Sequence, residues 1–401
     1  MPTLLQIESP SGEPIELRDG CTLPRRLDES FRPLVGDHAR DAVVQALEQP
    51  LGFPPIADGI VPGDSVAVAL GAGIPDLPAV ARGVVEAVVR AGVEPAQVTL
   101  LTTTKRDAKA VRAAVDEAVA VAEHDPSDEN ELCYAGVTRE DDVGLLLNRA
   151  LFHADLMIPV SCAATPDDPH NRGPYDGLYP AFFNSEALQS LRSTLDERPE
   201  WWRKRTEEAG WVIGAPMVVR VAPGEGGSVA GVFAGAPGEV EQRAAHATRQ
   251  AWVRVVEQDA DLVIATVTGD PDRQTWDDVA RALQAAERAA APGAPVAVCT
   301  SLKQRVGKSL TRLRGAGDMD EVRRRLGKDG HADTQAARAL ADALERGPVF
   351  LMSRLGDEVV EDLGMAPIAG VGELQRLADR FERVLLLEHA QHIEIAADGG
   401  E

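Results

Sequence analysis

The stretch Ser65-Val-Ala-Val-Ala-Leu70, Gly71-Ala-Gly-Ile-Pro-Asp76, residues 77–91, Gly92 and Gln97-Val-Thr-Leu-Leu101 decides the fold. Residues 65–70 are a continuous apolar run of strand length, residues 71–76 a glycine and proline loop, and residues 77–91 place apolar side chains at helical spacing. Gly92 stops that helix, and residues 97–101 form a second apolar run. Strand, loop, helix and strand within about 35 residues make a βαβ unit, and therefore a parallel sheet covered by helices.

Outward from this unit the theme recurs. Before it, alternating runs at 3–7 and 14–17 and a helical pattern at 39–47 predict a lead-in hairpin and helix. After it, the pattern predicts a helix at 109–122, a crossover from 143, a strand at 154–160 and hairpin-like strands at 212–221 and 231–233. Helices are expected at 240–256, 276–290, 334–344 and 373–381, with strands at 260–267, 295–300, 349–353 and 384–388. The expectation is an α/β chain with two α/β domains of mainly parallel sheets and a cleft between them. The domains are placed at 1–250 and 251–401. Residues 161–200 break the pattern, being dense in Pro, Gly, Asn, Asp and aromatics, and long irregular segments of this kind are either functional or linkers.

Composition excludes several classes. With 41 Lys and Arg against 64 Asp and Glu, the 401-residue chain carries a formal charge of −23. That balance argues against nucleic acid and anionic membrane surfaces as partners. The longest uncharged run, residues 289–302, is interrupted by Pro292, Gly293 and Pro295, and the N-terminus shows no charged-then-apolar export signal. Cys21, Cys133, Cys162 and Cys299 lack CxxC spacing, so reduced thiols in a cytoplasmic setting are expected.

Isolated motifs are weak. Gly307-Lys308-Ser309 lacks the glycine a phosphate loop needs five residues earlier, where Leu302 stands. Gly71 and Gly73 begin a dinucleotide fingerprint, but Asp76 replaces its third glycine. His124-Asp125, and His170 beside Asp167 and Asp168, place imidazoles near carboxylates, for which a loop-stabilising and a catalytic role both stand. His389 and His392, three apart near the chain end, read as exposed tail histidines. Residues 301–330 hold nine basic groups against four acidic ones, either a solvated face or an attractor for an anionic ligand.

Several segments together resemble the nickel-pincer lactate racemase family. They are Ala46-Leu-Glu-Gln-Pro-Leu-Gly-Phe-Pro-Pro, Val61-Pro-Gly-Asp-Ser-Val-Ala-Val-Ala-Leu, and Leu147-Asn-Arg-Ala-Leu-Phe-His-Ala-Asp-Leu-Met-Ile. Val232-Phe-Ala-Gly-Ala-Pro-Gly and Ala260-Asp-Leu-Val-Ile-Ala, followed by Gly269-Asp-Pro, continue the likeness. The resemblance implies an isomerase that racemises or epimerises a small 2-hydroxy acid with a covalently tethered nickel-pincer nucleotide in the interdomain cleft. The chain departs from that pattern. Ala72 and Pro75 stand where the family has an Asp and an Arg, and Thr103-Thr104-Lys105-Arg106 replaces its Gly-x-His-Arg. Asp168-Pro169-His170 is kept, Pro180 falls at the tethering lysine, and no histidine occurs between His170 and His246 to supply the nickel ligand. The family's second-domain Gln and Lys fall near Asp278 and Arg281.

The expected site therefore has His170 and Lys105 as catalytic groups, with Arg106, Arg172, Tyr175, Asp278 and Arg281 as substrate contacts. No metal ligand is assigned, and the tethered cofactor is not expected. The expected partner is a small anionic metabolite. The alternative is a catalytically inactive relative kept for metabolite binding or assembly. In that alternative, the aromatics of residues 175–183 and Trp201-Trp202 form an interface.

Overall fold

The computed structural model describes residues 6–8, 14–16, 21–26, 32–138, 144–164, 173–194, 199–269, 271–272, 274–315, 319–327, 331 and 333–396. It divides into two compact units, Ser30–Ala251 and Met1–Glu29 with Trp252–Glu401. The lead-in segment expected with the first unit thus packs with the second. Its hairpin β1 (Gln6–Glu8) and β2 (Pro14–Glu16) is antiparallel. β3 (Cys21–Thr22) and β4 (Arg25–Arg26) then join sheets of the later unit.

In the unit Ser30–Ala251 the chain runs α1 (Asp37–Glu48), β5 (Val66–Leu70), α2 (Leu77–Arg90), β6 (Val98–Thr102), α3 (Lys105–Arg112) and β7 (Ala120–Glu123). The hairpin β8 (Leu132–Val137) and β9 (Gly144–Asn148), α4 (Arg149–His153) and β10 (Leu156–Cys162) follow. The unit closes with α5 (Ser185–Thr194), α6 (Pro199–Val212), β11 (Val218–Pro223), β12 (Val229–Gly235) and α7 (Pro237–Trp252). The sheet order is β12-β11-β10-β5-β6-β7, parallel except for β12 against β11. Every residue of β5 is buried, which is why its sequence is continuously apolar and not alternating. One face packs Val66, Val68 and Leu70 on α1 and α2. The other packs Ala67 and Ala69 on Tyr175, Leu178, Tyr179 and Phe182. Gly83 lets α1 approach α2, since a Cβ there would stand 2.7 Å from the Arg40 carbonyl oxygen and from Val43 Cβ.

The expected helix at 109–122 is instead α3 followed by β7. Helical spacing at 109–111 continues into Ala120-Val-Ala-Glu123, where pairing to β6 overrides local propensity.

In the later unit, β13 (Val253–Val255) is followed by β14 (Leu262–Thr266), α8 (Trp276–Ala289), β15 (Val296–Cys299), α9 (Met319–Leu326) and α10 (Thr334–Arg346). Then come β16 (Val349–Met352), α11 (Asp357–Asp362), β17 (Ala366–Pro367), α12 (Val371–Ala378), β18 (Val384–Leu387) and β19 (Glu394–Ala396). The parallel sheet β17-β16-β15-β14-β18-β3 holds the core of this unit, and β19-β13-β4 form a small second sheet.

One buried charge stands out. Arg220 of β11 is fully buried, donates from Nη1 to Ser161 Oγ at 2.9 Å, and lies 3.3 Å from Glu241 Oε2 of α7. Its Nε and Nη2 make no hydrogen bond among the described residues. Breaking a buried pair leaves one charge uncompensated, whereas replacing both members with apolar groups is far less costly. Arg220→Ala is therefore expected to lower stability by about 3–5 kcal/mol, and Arg220→Met with Glu241→Leu to restore most of it. Urea unfolding midpoints of the two variants check this; equal losses in both would refute it.

Candidate functional site

In open parallel sheets ligands bind beyond the carboxyl ends of the strands, where consecutive connections leave in opposite directions. That switch point lies between β5 and β10 in one unit and between β14 and β18 in the other.

At the first switch point the chain closes on itself. Gly71 N donates to the Val160 carbonyl at 2.9 Å, and Gly177 lies over both strands. A Cβ on Gly177 would stand 2.3 Å from Ser161 Cβ, and one on Gly71 would stand 3.0 Å from Gly177 Cα. Residues 175–183 then fill the core, with Leu178, Tyr179, Phe182 and Phe183 at 1% exposure or less. Tyr175, expected as a substrate contact, is buried and donates its hydroxyl to the Ala215 carbonyl at 2.9 Å. Desolvation, with the Glu207 charge, raises its pKa, so it serves as an internal anchor. Trp202 is fully buried and stacks near Tyr179, with Arg205 above the rings. These aromatics are core, not the interface the alternative reading assigned them. His170 and Arg172 lie outside the described residues.

Lys105 and Arg106 begin α3 just beyond β6, both exposed. Thr104 caps the helix, accepting from Asp107 N at 3.1 Å. Cations in a first helical turn oppose the macrodipole and cost several tenths of a kcal/mol, so this position is not explained by helix stability. The Lys105 charge acts on Asp125, just beyond the end of β7. The Asp125 carboxyl is held below its ordinary pKa, mainly by the Ser127 hydroxyl and amide and also by His124 and Lys105.

His124 is buried, and the hydrogen-bond network assigns its tautomer. Its Nε2–H donates to the Phe183 carbonyl at 2.9 Å, while Nδ1 accepts from Asn148 Nδ2 at 3.1 Å. Asn148 Oδ1 in turn accepts from Ala150 N. Both ring nitrogens are used, so His124 holds the loop to the aromatic segment.

At the second switch point the residues are less committed. Thr275 and Asp278 form a capping box at the start of α8, with Asp278 Oδ2 accepting from Thr275 N and Oγ1 at 2.8 Å. Asp278 Oδ1 accepts from Arg281 Nη2 at 2.6 Å. Asp278 is thus an internal brace, whereas Arg281, 38% exposed, keeps its other donors without partners among the described residues. Facing them is the turn after β18. There Ala390 N donates to the Thr266 carbonyl, Gln391 spans the Thr268 backbone, and His389 Nδ1 pairs with Thr268 Oγ1. His389 holds φ at 57°, a conformation that costs a non-glycine residue about 1 kcal/mol. Sequence reading passed over His389 and His392 as tail residues. The signal that could have found them was their position immediately beyond an apolar run of strand length.

Other expectations resolve simply. In the basic stretch, Lys303 pairs with Asp272, Arg314 with Asp362, Arg323 with Asp342 and Glu345, and Arg325 with Glu321. This is the solvated-face reading. The amides of Ser309 and Leu310 donate to the Asp333 carboxylate, which occupies the place a phosphate would need. A cavity of about 300 Å³ lies against Arg25, Glu257, Ala260 and Val384. It is at the amino ends of β14 and β18, opposite the crevice. Among the described residues no three His, Cys, Asp or Glu side chains converge as a metal site, and no helix is long and apolar enough to cross a membrane.

Two units built on mainly parallel sheets define a two-unit α/β protein. The structure is similar to the lactate racemase apoprotein from Thermoanaerobacterium thermosaccharolyticum, with TM-score 0.71 at 16% identity, covering 93% of this chain and 95% of that one. It is also similar to a Thermotoga maritima protein, with TM-score 0.63 at 11% identity over 91% and 99% of the two chains. No protein-family model and no curated protein sequence matches the chain.

Burial lowers the His124 pKa below its ordinary 6.5, against smaller raising effects from Phe183 and Asp125. The unfolded chain then binds the extra proton, so this contribution to stability is complete above pH 6.5 and is lost as pH falls through the depressed folded value. Urea midpoints at pH 7 and pH 5 should fall more in the parent chain than in His124→Gln. A steeper loss in the variant would contradict the burial argument.

Proposed function

We propose that this chain is a lactate racemase-like protein that binds a small 2-hydroxy acid or a related carboxylate, and that its activity is of the isomerase class. The observation that carries the reading is Arg281. It is a guanidinium fixed by Asp278 through one nitrogen at 2.6 Å, with its remaining donors presented at the carboxyl end of a parallel sheet. A planar fork of this kind matches a carboxylate, and hydrogen bonds between ionised partners are the strong ones. The 2-hydroxy acid is taken from the name of the lactate racemase apoprotein, to which this fold is similar.

The tethered nickel nucleotide does not fit the residues present. The position the resemblance assigns to the tethering lysine is Pro180, a buried residue without a side-chain amine between Tyr179 and the core side chains Phe182 and Phe183. What the chain's own residues do is bind and orient. Arg281 takes the carboxylate, Asp278 holds Arg281 in one rotamer, and the Thr275 cap holds Asp278.

Calorimetric titration with L-lactate and D-lactate tests the reading. Arg281→Ala should weaken binding about tenfold or more, the value of one charged hydrogen-bonded contact. Lys105→Ala should leave the stability unchanged or higher by a few tenths of a kcal/mol, since it removes a cation that opposes the dipole of its helix. Unaltered affinity in Arg281→Ala would remove that guanidinium from the site.

A further inference from the structure

At the amino ends of β14 and β18, the two sheets of the later unit part around the cavity of about 300 Å³. The chain crosses from one sheet to the other here, since β3 pairs with β18, β4 pairs with β13, and Leu23-Pro24 joins them. Leu23 is 45% exposed although it is a large apolar side chain, and it lines this cavity with Pro24 and Val255. Val255 stands opposite Arg25 in the antiparallel pair of β4 and β13. Their side chains therefore share a face, while Arg26 and the buried Arg254 take the other. Arg383, also on the wall, is already answered by Asp261, its Nη2 donating to Oδ1 at 2.6 Å and its Nε to Oδ2 at 3.2 Å. Arg25 and Glu257 are not answered. Both line the cavity, and neither side chain forms a hydrogen bond or ion pair among the described residues. Glu257 follows Val255 by two residues, at most about 7 Å along the chain, so one small molecule reaches both charges.

We propose that this cavity is a binding site for a small zwitterion, an α-amino acid with an aliphatic side chain. Arg25 receives the carboxylate, Glu257 receives the ammonium group, and Leu23, Pro24 and Val255 cover the hydrocarbon. The site shares no residue with the Arg281 crevice, which lies at the other end of the same strands. Charge complementarity selects the zwitterion. A plain carboxylate or phosphate meets the guanidinium but faces the Glu257 carboxylate as a like charge, and a plain amine meets the reverse with Arg25. A zwitterion satisfies both, through a two-point guanidinium–carboxylate contact and a charge-assisted bond from its ammonium to Glu257. Arg25 and Glu257 are exposed, so neither is a charge that the fold itself must satisfy. Volume sets the size. About 300 Å³ is the low end for small-molecule sites, enough for one amino acid and too little for a nucleotide. The apolar wall adds a preference among amino acids, since each methylene buried against it strengthens binding about fourfold.

The experiment titrates the full chain calorimetrically with L-leucine, glycine, isocaproate and isoamylamine. L-leucine should bind about tenfold or more tightly than glycine, because only leucine covers the apolar wall. Isocaproate lacks the ammonium group and isoamylamine lacks the carboxylate, so each should bind about tenfold or more weakly than L-leucine. Arg25→Ala should weaken L-leucine by about tenfold or more and leave isoamylamine no weaker. Glu257→Gln should weaken L-leucine likewise and leave isocaproate no weaker. Both substitutions fall at exposed positions, and urea unfolding midpoints equal to that of the parent chain show that the fold is kept. L-leucine should also raise the parent midpoint, as any ligand of the folded state does. Arg281→Ala should leave L-leucine binding unaltered; a loss in that variant puts the ligand in the crevice and overturns the site. Isocaproate as tight as L-leucine, or Glu257→Gln without effect, overturns the zwitterion. Absence of binding by L-leucine, L-valine and L-methionine overturns the site altogether and leaves the reading of Arg281 in place.

Discussion

Complete burial of the central strands on both faces constrains everything else in this chain. A strand such as β5 or β14, covered by helices or by the aromatic segment on each side, has no lateral surface left for a ligand. Chemistry is then confined to the loops that leave the strand ends. The sheet topology further selects the carboxyl ends at the switch points, because only there do neighbouring connections diverge and leave a crevice.

The two units use that crevice differently. In one, Gly71 and Gly177 bring two backbones into contact above Ser161, and the chain's own aromatic side chains fill the space. In the other, a carboxylate performs two tasks at once. Asp278 caps the amides at the start of α8 and fixes Arg281, so the rotamer of the guanidinium is set by helix capping. The histidines facing it are carried by a turn tied to β14 through the Thr266 carbonyl and the Thr268 backbone. A charge presented by such a frame loses little entropy when it meets a ligand.

The contrast between His124 and His392 shows how local context separates structural from available imidazoles. Burial holds His124 toward neutrality, whereas His392 is exposed. His124 spends both nitrogens on Phe183 and Asn148, whereas neither ring nitrogen of His392 has a partner among the described residues. The same distinction separates Tyr175, whose hydroxyl is consumed by the Ala215 carbonyl, from Arg281, which keeps donors in reserve.

Apolar periodicity was enough to read the α/β class, the βαβ unit at residues 65–101, most strands and three helices of the later unit, α8, α10 and α12, but not the short α9 and α11. Each of those signals is local and is enforced by burial of one face or two. Lys105, Asp278 and Arg281 were singled out through the family resemblance, and the structure places Lys105 and Asp278 in the first turn of a helix that follows a strand. Tertiary structure alone decided the rest. The strand β7 emerges from a helix-like run only when β6 is there to pair with it. The lead-in strands β3 and β4 find their partners more than two hundred residues away. Whether Tyr175 or His392 faces the interior or the solvent depends on which carbonyls and rings surround it, and those partners are brought together only by the closed sheet.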